Sequence, residues 1–202
     1  MTRRWLFSLL IALTGIAQPV AAEIVSVQVS WVPDQCAACY AVLERRLKAI
    51  PGVAQADFNF NLAMAELRWK PNQPYDDRVV RTPVAWAGLR LRDVRIKVRG
   101  TIAHDDHNVY LVSIGDNTIF PLVSAPKTDN RFFVRKAIST YALDPMVQER
   151  LLLAEVNFEM VTIEGILVDP FRPPVHLQVE KIEFPNSTPP PNLNQNGTVS
   201  LR

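Results

Sequence analysis

The chain has 202 residues, 22 Lys and Arg against 20 Asp and Glu, and 48% hydrophobic residues. That length accommodates two compact units, and the composition excludes a disordered chain, in which apolar residues are too few to form a core. The near-balance of charge excludes a nucleic-acid surface built on net positive charge, so no nucleic acid is expected as partner.

Arg3 and Arg4 precede an apolar run from Trp5 to Ala17, and Gln18-Pro19-Val20-Ala21-Ala22 supplies small residues before Glu23. A basic start, a short apolar core and a small-residue exit form the pattern of a secretory signal peptide. The run is shorter than the roughly 20 apolar residues that a bilayer span needs. Residues 1–22 are therefore expected to be removed, leaving a periplasmic or secreted protein with no membrane span in the mature chain. Without Arg3 and Arg4 the basic residues number 20 and match the 20 acidic ones.

From Ile24 to Trp31 the chain alternates, Val25, Val27, Val29 and Trp31 falling on one face and Ser26, Gln28 and Ser30 on the other. This predicts a half-buried strand. The strand leads into Trp31-Val32-Pro33-Asp34-Gln35-Cys36-Ala37-Ala38-Cys39-Tyr40, which holds both cysteines of the chain. Tyr40, Leu43, Leu47 and Ile50 then recur at helical spacing, with Glu44 and Lys48 one turn apart outside, until Pro51-Gly52 ends the helix. A hairpin is predicted next, with Ala54, Ala56, Phe58 and Phe60 on one strand and Ala63, Ala65, Leu67 and Trp69 on the other. Asp76-Asp77 opens a second helical segment through Val79, Val80, Val84 and Trp86 to Gly88, in which Pro83 either breaks the helix or follows a new cap at Thr82. Val94, Ile96 and Val98 alternate with Asp93, Arg95, Lys97 and Arg99 as a further strand. Strand, helix, strand, strand, helix, strand is the split βαβ plan.

On these residues, 24 to about 98 resemble the heavy-metal-associated domain of copper chaperones, metal-pumping ATPases and the periplasmic mercury-binding protein. The resemblance is carried by Cys36-Ala37-Ala38-Cys39, by the helix ending at Gly52-Val53, by Ala56-x-Phe58-x-Phe60 and Ala65-x-Leu67-x-Trp69, and by Ala87-Gly88-Leu89. It implies a ferredoxin-like βαββαβ sandwich over residues 23–98 that binds one soft metal ion between Cys36 and Cys39. In that family a Met usually stands where this chain has Asp34, and many bacterial copper chaperones have a Tyr where it has Leu89.

The chemistry of the cysteines agrees with that implication. A thiolate at a helix start is favoured by unpaired N–H groups and by the dipole, and two sulfurs alone suit a linear or three-coordinate ion such as Cu(I) or Hg(II). A disulfide, redox-active or structural, remains the other reading of the pair.

Residues 99–184 read as β structure with one helix: apolar runs at Ile102, Val109–Val112 and Thr118–Val123, a capped helix from Asp144-Pro145 through Leu151, Leu152 and Ala154, and strands at Val161–Gly165 and Val175–Val179 around the turn Asp169–Pro174. Arg131–Ala142 is ambiguous. That order predicts a small OB-like β-barrel domain. His104-Asp105-Asp106-His107 offers a second, harder metal site or, the plainer reading, a solvated turn. His176 reads as the polar face of a strand, and Pro185–Arg202 as a disordered tail.

No nucleophile–base spacing, Gly-rich phosphate loop or zinc-hydrolase motif is present, so no enzyme is expected. The reading is of a periplasmic protein that binds one soft metal ion, Cu(I) first, through Cys36 and Cys39, with a metal-donor or metal-acceptor protein as partner. Its alternatives are a structural or interaction module that has lost the metal, and a thiol–disulfide redox protein.

Overall fold

The computed structural model describes residues 24–125, 142–168 and 175–184, and residues 198–200 as backbone. In chain order the elements are β1 (Ile24–Trp31), α1 (Ala37–Lys48), β2 (Val53–Asn59), β3 (Met64–Trp69), α2 (Asp77–Trp86), β4 (Leu91–His104), β5 (Val109–Ser113), β6 (Ile119–Val123), α3 (Pro145–Val156), β7 (Val161–Val168), β8 (His176–Glu183) and β9 (Thr198–Ser200). The strands form one sheet in the order β2-β3-β1-β4-β5-β6-β8-β7, with β9 on β8. Because β4 also pairs with β7, the strands β4, β5, β6, β8 and β7 close into a five-stranded barrel.

This corrects the expected ferredoxin-like βαββαβ domain followed by an OB-like domain. The molecule is a mixed α/β protein with one sheet, a closed five-stranded barrel and three helices among the described residues. The element that overturns the expectation is β4. It is a single strand of 14 residues, buried at Val94, Ile96, Val98, Gly100 and Ile102. Val94–Val98 lie between β1 on one side and β7, which begins its pairing at Arg95, on the other, while Gly100–His104 pair with β5. A strand hydrogen-bonded on both sides is no sheet edge, so no separate four-stranded sandwich ends there. Its alternation continues without a turn signal, since Gly100 serves close approach: a Cβ there would meet the Val112 carbonyl oxygen at 2.2 Å.

Local elements follow the sequence more closely. In β1, Val27 lies opposite Leu67 of β3 and Ile96 of β4, and Val29 opposite Ala65 and Val94. A register shift between Ile24 and Ser26 turns Ile24 into the core and Val25 out to solvent, reversing the expected face at that end. Helix α1 buries Leu43 and Leu47, and Glu44 and Lys48 pair at 2.6 Å. Helix α2 is capped by Asp76, whose side chain accepts from Arg78 N–H, and it runs unbroken through Pro83. Its buried face is Asp77, Val80, Pro83 and Val84; Val79 and Trp86 face outward, and the Arg46 guanidinium lies 4.7 Å from the Trp86 ring. Asp144 caps α3 by accepting from Met146 N–H, as its sequence predicts.

One core runs through sheet and barrel, from Val27, Trp31 and Leu43 to Leu111, Leu151, Ile163 and Leu177. Tyr75 joins its two ends, its ring 5.3 Å from Trp69 and 6.3 Å from Phe120 of β6. The expected signal segment, most of Arg131–Ala142, the turn Asp169–Pro174 and residues 185–197 lie outside the described residues, whereas Thr198–Ser200 of the expected tail pairs with β8. No helix among the described residues is long and apolar enough to cross a membrane.

Candidate functional site

Cys36 ends the loop between β1 and α1 and Cys39 lies in the first turn of α1, while backbone hydrogen bonds hold the start of the loop. Trp31 N–H donates to Ala63 O at 3.0 Å, which ties the end of β1 to the β2–β3 turn, and Val32 N–H donates to Arg90 O at 2.8 Å. Cys36 is the N-cap of α1, and its Sγ accepts from Cys39 N–H at 3.1 Å. Cys36 and Cys39 are disulfide-bonded, their Cα atoms 5.2 Å apart and both side chains half-buried. The structure thus brings the two sequence-predicted ligands together, in the oxidised state.

Asp34, Tyr40, Phe58 and Phe60 also meet at the site, through contacts that sequence reasoning did not anticipate. The Tyr40 hydroxyl accepts from Asp34 N–H at 3.0 Å and donates to Asp34 O. The Asp34 carboxylate accepts from Cys36 N–H at 3.2 Å. Tyr40 stacks on Phe60 at 5.1 Å, and Phe60 on Phe58 at 5.7 Å. Phe58 and Phe60 are half-buried, pack against the core and form an aromatic wall with Tyr40, and Trp69 is buried. Helical spacing indicated where the Tyr40 ring goes, but nothing in the sequence pattern indicates the target of its hydroxyl.

The His104–His107 segment is the solvated turn between β4 and β5. Asp105 accepts from the N–H groups of His107 and Asn108 and from the Tyr110 hydroxyl. His104 Nδ1 instead meets Glu155 Oε2 of α3 at 2.5 Å. Among the described residues no group of three or more His, Cys, Asp and Glu is placed to hold a metal ion. His176, expected on a polar face, is buried at the start of β8 opposite Val168.

The Tyr110 hydroxyl, then the two amides, hold the Asp105 carboxyl down at about 2, below its ordinary 3.8. Its folded value is depressed, so its contribution to stability is present above 3.8 and is lost as pH falls through about 2. An NMR titration should place the Asp105 carboxyl near that value in the native protein and higher in Tyr110→Phe. An unchanged midpoint in the variant would remove the hydroxyl as the cause.

A second polar cluster lies in the core, away from the cysteines. Asp77 at the start of α2 faces Arg81 one turn on, with side-chain exposures of 4% and 13%, and receives a hydrogen bond from the Tyr75 hydroxyl at 3.4 Å. Burial raises the Asp77 carboxyl against the pull of Arg81, and raises the Tyr75 phenol well above its usual range. With Arg81 against the Asp77 carboxyl and the Tyr75 ring packed beside it, the cluster supports the fold.

Comparison with protein-family models, with curated proteins and with solved structures finds no match to this chain.

Proposed function

We propose that the reduced protein binds one soft metal ion, Cu(I) before Hg(II), between the sulfurs of Cys36 and Cys39, and holds it for sequestration or hands it to a partner protein. The observation that carries this reading is the meeting of both sulfurs at one loop-to-helix junction, with Cα atoms 5.2 Å apart and Cys36 as the N-cap of α1. A thiolate there is stabilised by the helix start, and a pair of soft donors selects a soft ion. The resemblance of residues 24 to about 98 to heavy-metal-associated domains supports it too. In this reading the protein works in the periplasm or outside the cell, after loss of residues 1–22, and catalyses no reaction.

The disulfide is the oxidised form of the same site. Two electrons and two protons, supplied by a dithiol, break the sulfur–sulfur bond and yield two thiols, whose protons leave as the ion binds. The bonded pair also favours a second reading, thiol–disulfide exchange, in which the partner's dithiol is the substrate and no ion is held.

An anaerobic competition titration with a Cu(I) chelator separates the two. The expected result is one equivalent of copper bound by reduced wild type, affinity lower by orders of magnitude in Cys36→Ser and in Cys39→Ser, and no uptake by oxidised protein. No uptake by reduced wild type, or wild-type affinity in either variant, overturns the metal reading.

A further inference from the structure

We infer that Tyr40 and Asp34 are the positioning residues of the cysteine pair: together they hold the loop that carries Cys36 in the one geometry from which both sulfurs act together. As regards the ion, this rests on the function proposed above; as regards the disulfide, it stands on the bonded pair alone.

Pro33, Asp34 and Gln35 are exposed and belong to neither β1 nor α1. A loop of that kind samples many conformations unless something fixes it. Here the Tyr40 hydroxyl engages both backbone groups of Asp34, accepting from its N–H at 3.0 Å and donating to its carbonyl oxygen. The phenol is itself anchored. Its ring stacks on Phe60 at 5.1 Å and tilts against Trp31 at 6.0 Å. Trp31 is fully buried and its backbone is tied to the β2–β3 turn.

Asp34, thus fixed, turns its carboxylate onto Cys36 N–H at 3.2 Å, and Cys36 Sγ in turn accepts from Cys39 N–H at 3.1 Å. The chain of contacts runs from the buried end of β1 through a hydroxyl and a carboxylate to the first sulfur. Each link is a hydrogen bond or a ring contact, and the Tyr40 hydroxyl and the Asp34 carboxylate can each be removed alone. Holding Cys36 near Cys39 raises the effective concentration of one sulfur at the other, which favours the disulfide over the dithiol and two-sulfur capture of an ion over one-sulfur contact.

The test uses Tyr40→Phe, which keeps the ring and deletes the hydroxyl, together with Asp34→Ala and Asp34→Asn. Two quantities are read: the dithiol–disulfide equilibrium of Cys36 and Cys39 against a redox buffer, and the Cu(I) affinity of the reduced protein. Tyr40→Phe and Asp34→Ala are each expected to shift the equilibrium roughly tenfold toward the dithiol, about 30 mV in potential, and to weaken copper binding. Asp34→Asn, which keeps a side-chain carbonyl for Cys36 N–H, restores both. Tyr110→Phe, a hydroxyl deletion in the β4–β5 hairpin, changes neither.

A folded Tyr40→Phe or Asp34→Ala with the wild-type equilibrium overturns the inference, whatever its effect on melting temperature. Should Tyr40→Phe fail to fold, the Asp34 pair decides alone. A shifted equilibrium in a protein whose wild type takes up no copper sinks the metal reading and leaves the positioning role standing.

Discussion

Replacing Asp77 with alanine is expected to lower stability by about 3–5 kcal/mol, the cost of breaking a buried ion pair by removing one partner. The carboxylate and the Arg81 guanidinium are 4% and 13% exposed, so solvent does little to screen the loss. The variant leaves the guanidinium without the carboxylate that it faces and takes from the Tyr75 hydroxyl its acceptor at 3.4 Å. Since Tyr75 packs on both Trp69 and Phe120, the damage reaches the barrel as well as α2. Urea unfolding is the measurement: the midpoint should fall with the slope unchanged. Asp77→Asn, which keeps a hydrogen-bonding group, should lose less. The Asp77 carboxyl is raised in the folded state by burial, so its favourable contribution is full below the ordinary 3.8 and declines as pH rises through the raised value. Asp77→Asn should therefore flatten that part of the stability–pH curve. An Asp77→Ala loss no larger than that of exposed Asp57→Ala would show that the pair does not hold α2 in place.

Gly165→Ala is the second large effect. A Cβ at Gly165 would lie 2.0 Å from the Gln178 carbonyl oxygen, a backbone atom of β8 that cannot swing aside. The register shift between Glu164 and Gly165 marks the same place as a bulge in the β7–β8 pairing. To admit one methyl group β7 and β8 must separate within the barrel wall, which is overpacking and costs about 1–3 kcal/mol. Hydrogen exchange should localise the loss to β7 and β8, with faster exchange at Ile163–Leu167. Uniform destabilisation with no change in that pattern would contradict a local cause.

What the sequence makes legible here is what repeats locally. Alternation finds β1 and β3, and helical spacing finds Leu43 and Leu47 as the buried face of α1. The meeting of Cys36 with Cys39 is legible because a three-residue separation at a helix start leaves little other choice.

Partnership is the part that local pattern does not carry. Val94, Ile96 and Val98 announce a strand, and the lack of any linker at Arg99-Gly100 leads residues 94–102 to be expected to run straight on into the barrel; which strands flank β4 on its two sides is what the alternation does not carry. The bulge beside Ile24 reverses a face without any change of residue type to announce it. In α2 the apolar residues outnumber the places on the buried face. Val79 and Trp86 are left outside, while Asp77 goes in with Arg81 beside it. The Tyr40 clamp is hidden for the same reason, because its acceptor and donor are backbone groups that the loop delivers only once folded.

The most direct measurement of the proposed role is X-ray absorption on reduced protein loaded with Cu(I) and desalted, with copper counted per chain. The account predicts one copper per chain whose near neighbours are the two sulfurs of Cys36 and Cys39, and none in the double variant Cys36→Ser, Cys39→Ser. A desalted wild type that retains no copper, or a copper surrounded by nitrogen and oxygen that persists in the double variant, would contradict it.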